Sequence, residues 1–422
     1  MYLYMQGVSN LVLDFNALEM PTSIYLKLTN DCLFHCPFCS VGLRRAEYMD
    51  FIFIQKILNF CKKEGVQTVY YTGGEPLMHS QINEIVQFGR RLGLKQVLLT
   101  NGFLLETNKL DLVLKNVDVL GVSLHGTPKV HDALVGINGA SKKILASLSE
   151  VHKKYPNLRI GINCTLSRNN GTLKELEYLA KVAQSYNGSL EVSRLNFAGK
   201  ARVDFKIEEL NTVAKVIQSL QLHNFHVSFG NCIAHCLLDK TLSHLGRGCS
   251  AGVSSACIDV NGDIKICPSA SFVIGNLKNE SFKRIWNTKK MRDFRSFSWV
   301  PSSCTVCNFF LKCRSGCKIE IVESFSKNIC DKFVEKRFSN IWNEMCNKKY
   351  IFSGSFIRKD FSHYTIISPH VIRKCNKDVL LFIKSITGDK TCEEILHMVK
   401  NKEECKNLLI SLKIDMLLKE IK

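Results

Sequence analysis

The sequence has no apolar run long enough to cross a membrane. No window of its 422 residues approaches the run of about 18 apolar residues that a transmembrane helix needs. The first residues lack a basic segment followed by an apolar one, so no secretory signal is evident. Internal repeats and low-complexity segments are absent as well. We therefore expect a cytoplasmic protein without a membrane partner.

Acidic residues are scarce relative to basic ones. The 38 Asp and Glu face 57 Lys and Arg, which leaves a formal net charge of +19. A nucleic-acid partner would explain this charge, but the basic residues are spread widely and accompany no nucleic-acid-binding motif. A lysine-rich coding bias or an acidic peptide partner explains the charge without one. We therefore expect no nucleic-acid partner.

Cysteine is what the chain has in quantity, with 19 in all. Disulfide scaffolds are short secreted chains, whereas this one has the length of roughly two to three domains. Its composition, 45% hydrophobic and 23% charged, is that of an ordinary globular protein. In such a chain, clustered thiols bind metal more often than they form disulfides.

Short apolar strands alternate with amphipathic helical segments from about residue 24 to 230. The strands are predicted at residues 24–28, 66–71, 96–99, 117–124, 158–164 and 190–194, and helices include 82–92 and 172–185. This alternation predicts parallel strands joined by crossover helices. In barrels of this kind the chemistry gathers at the carboxyl ends of the strands. The sequence motifs follow such ends: a cysteine loop, Thr72 to Pro76, Thr100 to Gly102, and Ser123 to Gly126.

Cys32, Cys36 and Cys39 form a C-x3-C-x2-C loop just after the first predicted strand. Three thiolates can hold three corners of an iron–sulfur cube and leave the fourth iron without a protein ligand. An open metal position is typical of a catalytic site. Structural zinc is the alternative, with a fourth ligand from His35 or a distant thiol, although zinc usually takes two close pairs. Phe38 suits a flat organic ligand beside a cluster.

This loop resembles the signature of the radical SAM superfamily, C-x3-C-x-aromatic-C, at Cys32, Cys36, Phe38 and Cys39. The resemblance implies a [4Fe–4S] cluster whose open iron is chelated by the amino and carboxylate groups of S-adenosylmethionine (SAM). It also implies reductive cleavage of SAM to a 5′-deoxyadenosyl radical. Beyond the cluster and SAM ligands, no catalytic residue is assigned.

The segment Gly73, Gly74, Glu75 and Pro76 resembles the family's second motif, which contacts the methionine amino group of SAM. Glycines permit close approach of the backbone to a ligand, and Glu75 offers an acceptor for an ammonium group. The motif lies one βα unit after the cysteine loop, where the family has it.

Ser123 and Asn163 end later strands, at positions where family members often place polar contacts to SAM. An ordinary strand-end cap is the alternative for both. The sequence also departs from its relatives, which often have Asp where His125 stands and tend to have Arg where Val135 stands. Those departures affect the SAM carboxylate contacts and the substrate side of the pocket.

A second cysteine pattern follows the predicted barrel and matches the seven-cysteine pattern of the SPASM domain. The resemblance implies two auxiliary [4Fe–4S] clusters. The first would be held by Cys249, Cys257, Cys267 and Cys317, and the second by Cys304, Cys307, Cys313 and Cys330. Cys232 and Cys236 form a further C-x3-C pair, for which packing and a cluster or substrate role both stay open. The remaining thiols are expected to be buried small hydrophobes: Cys61, Cys164, Cys346, Cys375, Cys392 and Cys405.

Residues 350–422 are predicted to form a small α+β, winged-helix-like module, with strand residues around 364–367 and helices at 378–385 and 391–399. The module is similar to the pyrroloquinoline-quinone chaperone fold that is fused to many peptide maturases. Such domains bind a leader peptide by adding it to a sheet edge as an extra strand. A dimerisation or packing appendage is the alternative.

The predicted organisation has four parts: an N-terminal extension (1–20), a radical SAM core built as a partial (β/α)6 TIM-type barrel (21–230), a SPASM auxiliary iron–sulfur domain (231–345) and the peptide-binding module (350–422). The resemblance implies an enzyme that modifies a ribosomally synthesised precursor peptide, with a thioether or another cross-link as product. It also implies an electron donor such as flavodoxin or ferredoxin.

Two other classes of function stay open. One is a radical SAM enzyme that matures a sulfatase by forming formylglycine, or that modifies a small molecule or carbohydrate. Sulfatase-maturing relatives tend to carry Asp after the cysteine that matches Cys267, whereas this chain has Pro268. The other is a non-catalytic protein that binds metal or nucleic acid, which would be colourless and zinc-loaded rather than brown.

Overall fold

The structure is a computed structural model. It describes residues 18–41, 46–194, 207–297, 309–318, 345–352, 356–359, 364–367, 372–375, 383–384, 386–398, 405, 409 and 418–421. The chain divides into two compact units. The first comprises Met20–Met291 with Gly316–Phe325, and the second comprises Met1–Glu19, Arg292–Ser315 and Ser326–Lys422.

A parallel sheet with crossover helices forms the body of the first unit. Its strands are β1 (Ser23–Thr29), β2 (Thr68–Gly73), β3 (Lys95–Thr100), β4 (Val119–Ser123), β5 (Arg159–Thr165), β6 (Ser189–Ser193) and β7 (Val227–Phe229). The helices between them are α1 (Phe51–Lys63), α2 (Ile82–Arg91), α3 (Asp111–Asn116), α4 (Pro128–Val135), α5 (Ala140–Lys154), α6 (Leu173–Ser185) and α7 (Ile207–Leu222). Neighbouring strands from β1 to β7 are all parallel. The prediction of a parallel α/β core is confirmed.

Helices α1 and α6 begin at capping residues, and α1 buries one apolar face. Asp50 caps α1 by accepting a hydrogen bond from the Phe53 amide, and Thr172 caps α6 by accepting one from Glu175. Such caps satisfy amides that have no partner inside the helix. One face of α1 is then buried through residues at helical spacing, namely Ile54, Ile57, Leu58 and Cys61. The core between helices and sheet is therefore apolar, and polar side chains are left for the inner face of the strands.

The sheet continues beyond the predicted core. Strands β8 (Ser255–Ile258), β9 (Asp263–Lys265) and β10 (Gly275–Asn276) bring it to ten strands in the order β10-β9-β8-β1-β2-β3-β4-β5-β6-β7. β8 pairs with β1 in parallel, with Cys257 opposite Tyr25. Helices α8 (Phe282–Trp286) and α9 (Lys289–Arg295) follow. The sequence does not predict β8 to β10, because these strands are too short to show a hydrophobic period.

The second unit contains short antiparallel sheets in its described parts. After α10 (Phe310–Cys313), one sheet has the order β15-β11-β16, from β11 (Lys349–Phe352), β15 (Thr387–Thr391) and β16 (Leu418–Ile421). The other runs β12 (Phe356–Lys359), β13 (Tyr364–Ile367) and β14 (Ile372–Cys375). Helix α11 (Cys392–His397) begins with a capping box of Thr391 and Glu394. Residues 376–382, which hold most of the predicted 378–385 helix, lie outside the described residues.

Candidate functional site

The loop that carries Cys32, Cys36 and Cys39 leaves the carboxyl end of β1, and we call residues 30–41 the thiol loop. Phe34 anchors it in the core, where its ring is 2% exposed and meets Phe103 edge-on at 5.5 Å. The three thiols are each partly exposed. An apolar anchor among partly exposed cysteines holds the loop while leaving its sulfur atoms accessible.

Hydrogen bonds fix the start of the thiol loop. The Asp31 amide donates to Thr29 Oγ1 at 2.9 Å, and Asp31 Oδ1 accepts from the Cys32 amide at 2.9 Å. The Tyr48 hydroxyl donates to the other carboxylate oxygen at 2.7 Å. Asp31 thus sets the backbone direction from which Cys32 projects.

Gly73 and Gly74 touch the start of the thiol loop at the backbone. A Cβ on Gly74 would lie 2.1 Å from the Asp31 carbonyl oxygen, and one on Gly73 would lie 2.2 Å from that of Thr29. The Gly74 and Glu75 amides donate to these same two oxygens at 2.7 Å. The sequence predicts that these glycines allow a ligand to approach the backbone. In the structure, the atoms closest to Gly73 and Gly74 belong instead to the backbone at the start of the thiol loop.

Glu75 is fully buried, with both carboxylate oxygens engaged. Oε1 accepts from the Thr100 hydroxyl at 2.7 Å and the Leu77 amide at 3.0 Å, while Oε2 accepts from the Asn101 amide at 2.7 Å. Burial raises the pKa of Glu75 to about 7, although the three hydrogen bonds oppose that rise. Pro76, also buried, opens the turn that Glu75 caps. The carboxylate therefore holds two strand ends together.

Asn101 connects this carboxylate to the thiol loop. Its amide donates to Glu75, and its side-chain Nδ2 lies 3.6 Å from Cys32 Sγ in a hydrogen bond. Nitrogen donors aimed at a thiolate stabilise its charge and tune any metal that it binds. The motif that contains Asn101 is apparent from the sequence, but a role for the residue is not.

Ser123 and Asn163 are opposite each other on β4 and β5. Both are partly exposed, and Asn163 Nδ2 leans over Gly121, where a Cβ would approach it to 2.9 Å. The two predicted SAM contacts therefore share one face of the sheet near its carboxyl edge. Their contact with SAM stays a prediction.

His125 stands against Phe38 of the thiol loop, with the rings edge-on at 4.9 Å. Its Nδ1 accepts from the Thr165 amide at 3.2 Å, and its own amide donates to His131 Nδ1 at 3.1 Å. Burial, followed by the nearby charge of His131, lowers the pKa of His125 to about 3. This chain therefore presents a neutral ring to Phe38, the aromatic side chain between Cys36 and Cys39.

Three cysteines of the predicted first auxiliary cluster come together in the first unit, and we call Cys249, Cys267 and Cys317 the auxiliary thiols. The Lys318 ammonium donates to the Ala251 carbonyl at 2.5 Å, and the Gly252 amide donates to Ile266 at 3.2 Å. Burial raises the pKa of Cys267 to about 12, and the charges of Cys249 and Cys317 add to that rise. These thiols are therefore close enough to act on one another.

Cys257, the predicted fourth ligand, lies on β8 rather than in a loop, and its side chain is fully buried. Its surroundings are ionic, because Asp259 pairs with Lys27 at 3.4 Å and with Lys265 at 2.6 Å. Burial raises the pKa of the Cys257 thiol to about 12. It adds to the pKa rise of Cys267, so it is within electrostatic reach of that thiol.

Of the four cysteines predicted to hold the second auxiliary cluster, Cys313 is the one that lies among the described residues. Cys313 ends α10 in the second unit and is 7% exposed. Cys304, Cys307 and Cys330 lie outside the described residues. Of the thiols expected to be buried, Cys61, Cys164, Cys392 and Cys405 are buried, and Cys346 is partly exposed instead.

Aromatic and charged side chains come together on strands β1, β2 and β6. Tyr25 on β1 stacks on Tyr70 of β2, with ring centroids 4.5 Å apart. Across the sheet, Arg247 lies 4.0 Å from Glu191 on β6, and both charges act on the Tyr25 hydroxyl.

The donor sets fit iron–sulfur clusters. Each set is made of cysteines, none of them in a disulfide in the described chain. Among the described residues, no three His, Cys, Asp or Glu side chains converge closely enough for a single metal ion. A cubane cluster instead binds its thiolates to separate irons, which spreads them further apart. Cys32, Cys36 and Cys39 would hold one cluster and leave an iron for SAM, and the auxiliary thiols would hold another.

Two family models match the sequence. The radical SAM superfamily model matches residues 26–184, and the model of the SPASM iron–sulfur cluster-binding domain matches residues 249–308. The first span contains Cys32, Cys36 and Cys39. The second contains Cys249, Cys257, Cys267, Cys304 and Cys307 and ends before Cys313, Cys317 and Cys330. No helix in the described part of the chain is long and apolar enough to cross a membrane.

Similar proteins share the fold over most of the chain. The PqqA peptide cyclase of Gluconobacter oxydans is 23% identical over 315 residues, which cover 71% of this chain and 86% of that protein. The AdoMet-dependent heme synthase of Methanosarcina barkeri is 24% identical over 277 residues, which cover 60% and 78%. Streptococcus suis SuiB bound to its precursor peptide SuiA has a TM-score of 0.61 at 18% identity, covering 76% of each chain. The structure of anSMEcpe with bound AdoMet has a TM-score of 0.57 at 18% identity, covering 72% and 91%.

Proposed function

The chain is a radical SAM enzyme that carries a radical SAM domain followed by a SPASM domain, and on this premise we propose that it modifies a ribosomally synthesised precursor peptide. The observation that carries the proposal is the placement of two thiol sites about β1. The thiol loop leaves the carboxyl end of this strand, and the strand's neighbour β8 belongs to the segment of the auxiliary thiols. The relatives named for peptide substrates, PqqA peptide cyclase and SuiB, support the same class of substrate.

The chain's own residues would prepare the reaction in three ways. Gly73 and Gly74 let the second motif lie directly on the thiol loop, and Glu75 with Asn101 connects that motif to Cys32. Phe38 and the neutral His125 ring form an apolar wall beside the cysteines. When bound, the cluster and SAM supply the electron and the hydrogen-abstracting group.

We propose that the product is a thioether or another cross-link within the peptide. Joining a carbon to a cysteine sulfur removes a C–H hydrogen atom, which leaves with the SAM fragment, and a thiol proton. One electron is then left over, and an auxiliary cluster close to the substrate could accept it. Accepting this electron would be the role of the auxiliary clusters. We propose a flavodoxin or ferredoxin as the donor of the electron that starts SAM cleavage.

We also propose that the leader of the precursor binds the second unit. In its described parts, β12 and β14 are the outer strands of an antiparallel sheet and each pairs only with β13. An outer strand presents unpaired amides and carbonyls to which an extended peptide can add. The net charge of +19 would favour an acidic leader.

Mass spectrometry of a co-expressed peptide tests the function. The full chain, reconstituted with iron and sulfide without oxygen, should convert a cysteine-containing peptide from a neighbouring short reading frame, with a mass loss of a hydrogen pair. 5′-Deoxyadenosine should appear in step with the product. The same peptide without its leader should react more slowly, and a sulfatase-derived Ser or Cys peptide should not react. Absence of SAM cleavage under dithionite would refute the radical enzyme, and formylglycine in the sulfatase peptide would favour the alternative.

A further inference from the structure

A short loop that precedes the SPASM match carries a cysteine to the auxiliary thiols. The backbone of Ile233 forms an antiparallel bridge with Arg247, and the two amide-to-carbonyl hydrogen bonds are both 2.9 Å long. This bridge places Cys232 beside the segment that leads into Cys249. The Cys232 and Cys249 thiols are within electrostatic reach of each other.

The same loop also packs against the segment of Cys317. A Cβ on Gly316 would lie 2.7 Å from the Ala234 amide nitrogen and 2.8 Å from its Cβ. Gly316 has a φ of +72°, so glycine is required there both for its backbone angle and for this close packing. Residue 232 is therefore brought to Cys249 by one backbone contact and toward Cys317 by another, independent one.

Cations surround these thiols. The charge of Arg247 acts on Cys232, that of Lys318 acts on Cys249, and Arg194 is in reach of both Cys232 and Cys317. A cubane with four thiolate ligands carries net negative charge, and positive side chains around it offset that charge. Around Cys257 the charges instead pair with one another, since Lys27 and Lys265 both bind Asp259.

We propose that Cys232 is the fourth ligand of the auxiliary cluster held by Cys249, Cys267 and Cys317, in place of Cys257. Cys232 lies on a loop that is already in contact with the chain segments of two of the other ligands, at Arg247 before Cys249 and at Gly316 before Cys317. Cys257 is held within the sheet between β1 and β9, and its side chain is fully buried. The proposal depends on the auxiliary cluster alone and is independent of which substrate the enzyme modifies.

Alkylation of the wild-type chain tests this assignment without any substitution. Full-length protein with and without its clusters is treated with iodoacetamide in the absence of oxygen, and each cysteine is followed by mass spectrometry. Cys232 should be protected at least tenfold by cluster loading, as Cys249 is. Cys236, four residues further along the same loop and also partly exposed, should react at a similar rate in both forms. Equal labelling of Cys232 in the two forms would overturn the proposal.

Three alanine variants of the full chain provide a second measurement. Cys232→Ala should lose between one iron atom and a whole cluster, up to about four irons per chain, with a matching change in the Mössbauer spectrum. Cys236→Ala and Cys257→Ala should retain the iron content of the wild type. Loss of iron in Cys257→Ala with full iron in Cys232→Ala would restore the assignment from the SPASM pattern. Full iron and an unchanged spectrum in both would show an open iron and also refute the proposal.

Discussion

The two thiol sites differ in how far their cysteines are exposed to water. Cys32, Cys36 and Cys39 at the end of β1 are all partly exposed. Among the auxiliary thiols, Cys249 and Cys317 are 5% and 8% exposed, and Cys267 is partly exposed. A site that admits a ligand to its metal needs room at the cluster, whereas a cluster that carries electrons can be enclosed. The cysteines of the thiol loop are therefore, on the whole, more accessible to a ligand than the auxiliary thiols.

The neighbours of the two sites differ as well. Cys32 receives a hydrogen bond from the neutral Asn101 amide. The second site lies among Arg247, Lys318 and Arg194. Positive charge and burial act oppositely on a cluster's reduction potential, because charge favours the reduced form and desolvation disfavours it. The enclosed cluster can thus be kept reducible without exposure to solvent.

The largest effect is expected when a thiol of the exposed site, on the thiol loop, is removed. Cys36→Ala should abolish SAM cleavage, because two cysteines cannot hold the cubane with an iron open to SAM. The measurement is 5′-deoxyadenosine formed under dithionite by the reconstituted chain. Cys61→Ala, which removes a fully buried thiol on α1, is the control and should cleave SAM normally. Cleavage by Cys36→Ala would place the SAM cluster elsewhere.

Removing a thiol of the enclosed site should separate the two reactions. Cys249→Ala is expected to retain SAM cleavage and to lose peptide product by about a hundredfold, because the electron left after hydrogen abstraction has no acceptor. The same outcome is expected for Cys304→Ala and Cys313→Ala. Both products are measured in one assay by mass spectrometry. If cleavage fell in parallel with product, the division of labour between the sites would be wrong.

The backbone contact under the thiol loop can be tested with one methyl group. Gly74→Ala places a Cβ 2.1 Å from the Asp31 carbonyl oxygen, so the loop must move by about 1 Å, which can lower a rate about a hundredfold. Gly161→Ala on β5 is the matched control, because its Cβ would meet no atom within 4 Å. SAM cleavage and bound iron are measured for both. Equal rates would mean that the loop tolerates the shift.

The smallest effect is expected from substituting Glu75, which should change how the free energy of unfolding depends on pH. Its pKa in the folded chain is raised to about 7 from 4.5, so the folded chain binds the proton more tightly than the unfolded chain does. Stability is then lost as pH rises from about 4.5 through 7. Glu75→Gln removes this titration, and between pH 5 and 8 the variant should gain up to about 3 kcal/mol relative to wild type.

Denaturant unfolding of the cluster-free chain at the two pH values measures this change for Glu75→Gln. Glu280→Gln, which alters an exposed carboxylate, is the control and should follow the wild type at both values. The side-chain amide introduced by Glu75→Gln would face the Asn101 N–H, so the variant starts from a lower stability at pH 5. If the variant had the same pH dependence as the wild type, the pKa of Glu75 would not be raised in the folded chain.

Much of the fold follows from the sequence where hydrophobic period and caps agree. The strand predicted at 96–99 is found as Lys95–Thr100, and the helix predicted at 82–92 as Ile82–Arg91. In the second unit, the strand predicted at 364–367 has those bounds. Local pattern was less informative at β8 to β10, which are only two to four residues long. Their conformation depends on the pairing of β8 with β1, of β9 with β8 and of β10 with β9.

The site was predictable in its residue types and less so in their partners. Cysteine spacing indicated the thiol loop and the auxiliary thiols. It could not show that Glu75 binds the chain's own amides, or that Asn101 reaches Cys32, because both contacts join separate strand ends. Nor could spacing separate Cys257 on a buried strand from Cys232 on a loop, since the distinction lies in how β8 pairs and where Gly316 packs.

The pairing of β1 with β8 also orders the events of biosynthesis. Thr22 and Ser254, hydrogen-bonded at this edge, are 232 residues apart in the chain. A ribosome delivers the N-terminal segment first, so the cysteines of the thiol loop emerge long before the strand that flanks them. Until residue 258 has left the exit tunnel, β1 has one exposed edge. The sheet is therefore completed at this edge only after the segment that carries Cys249 and Cys257 has been synthesised.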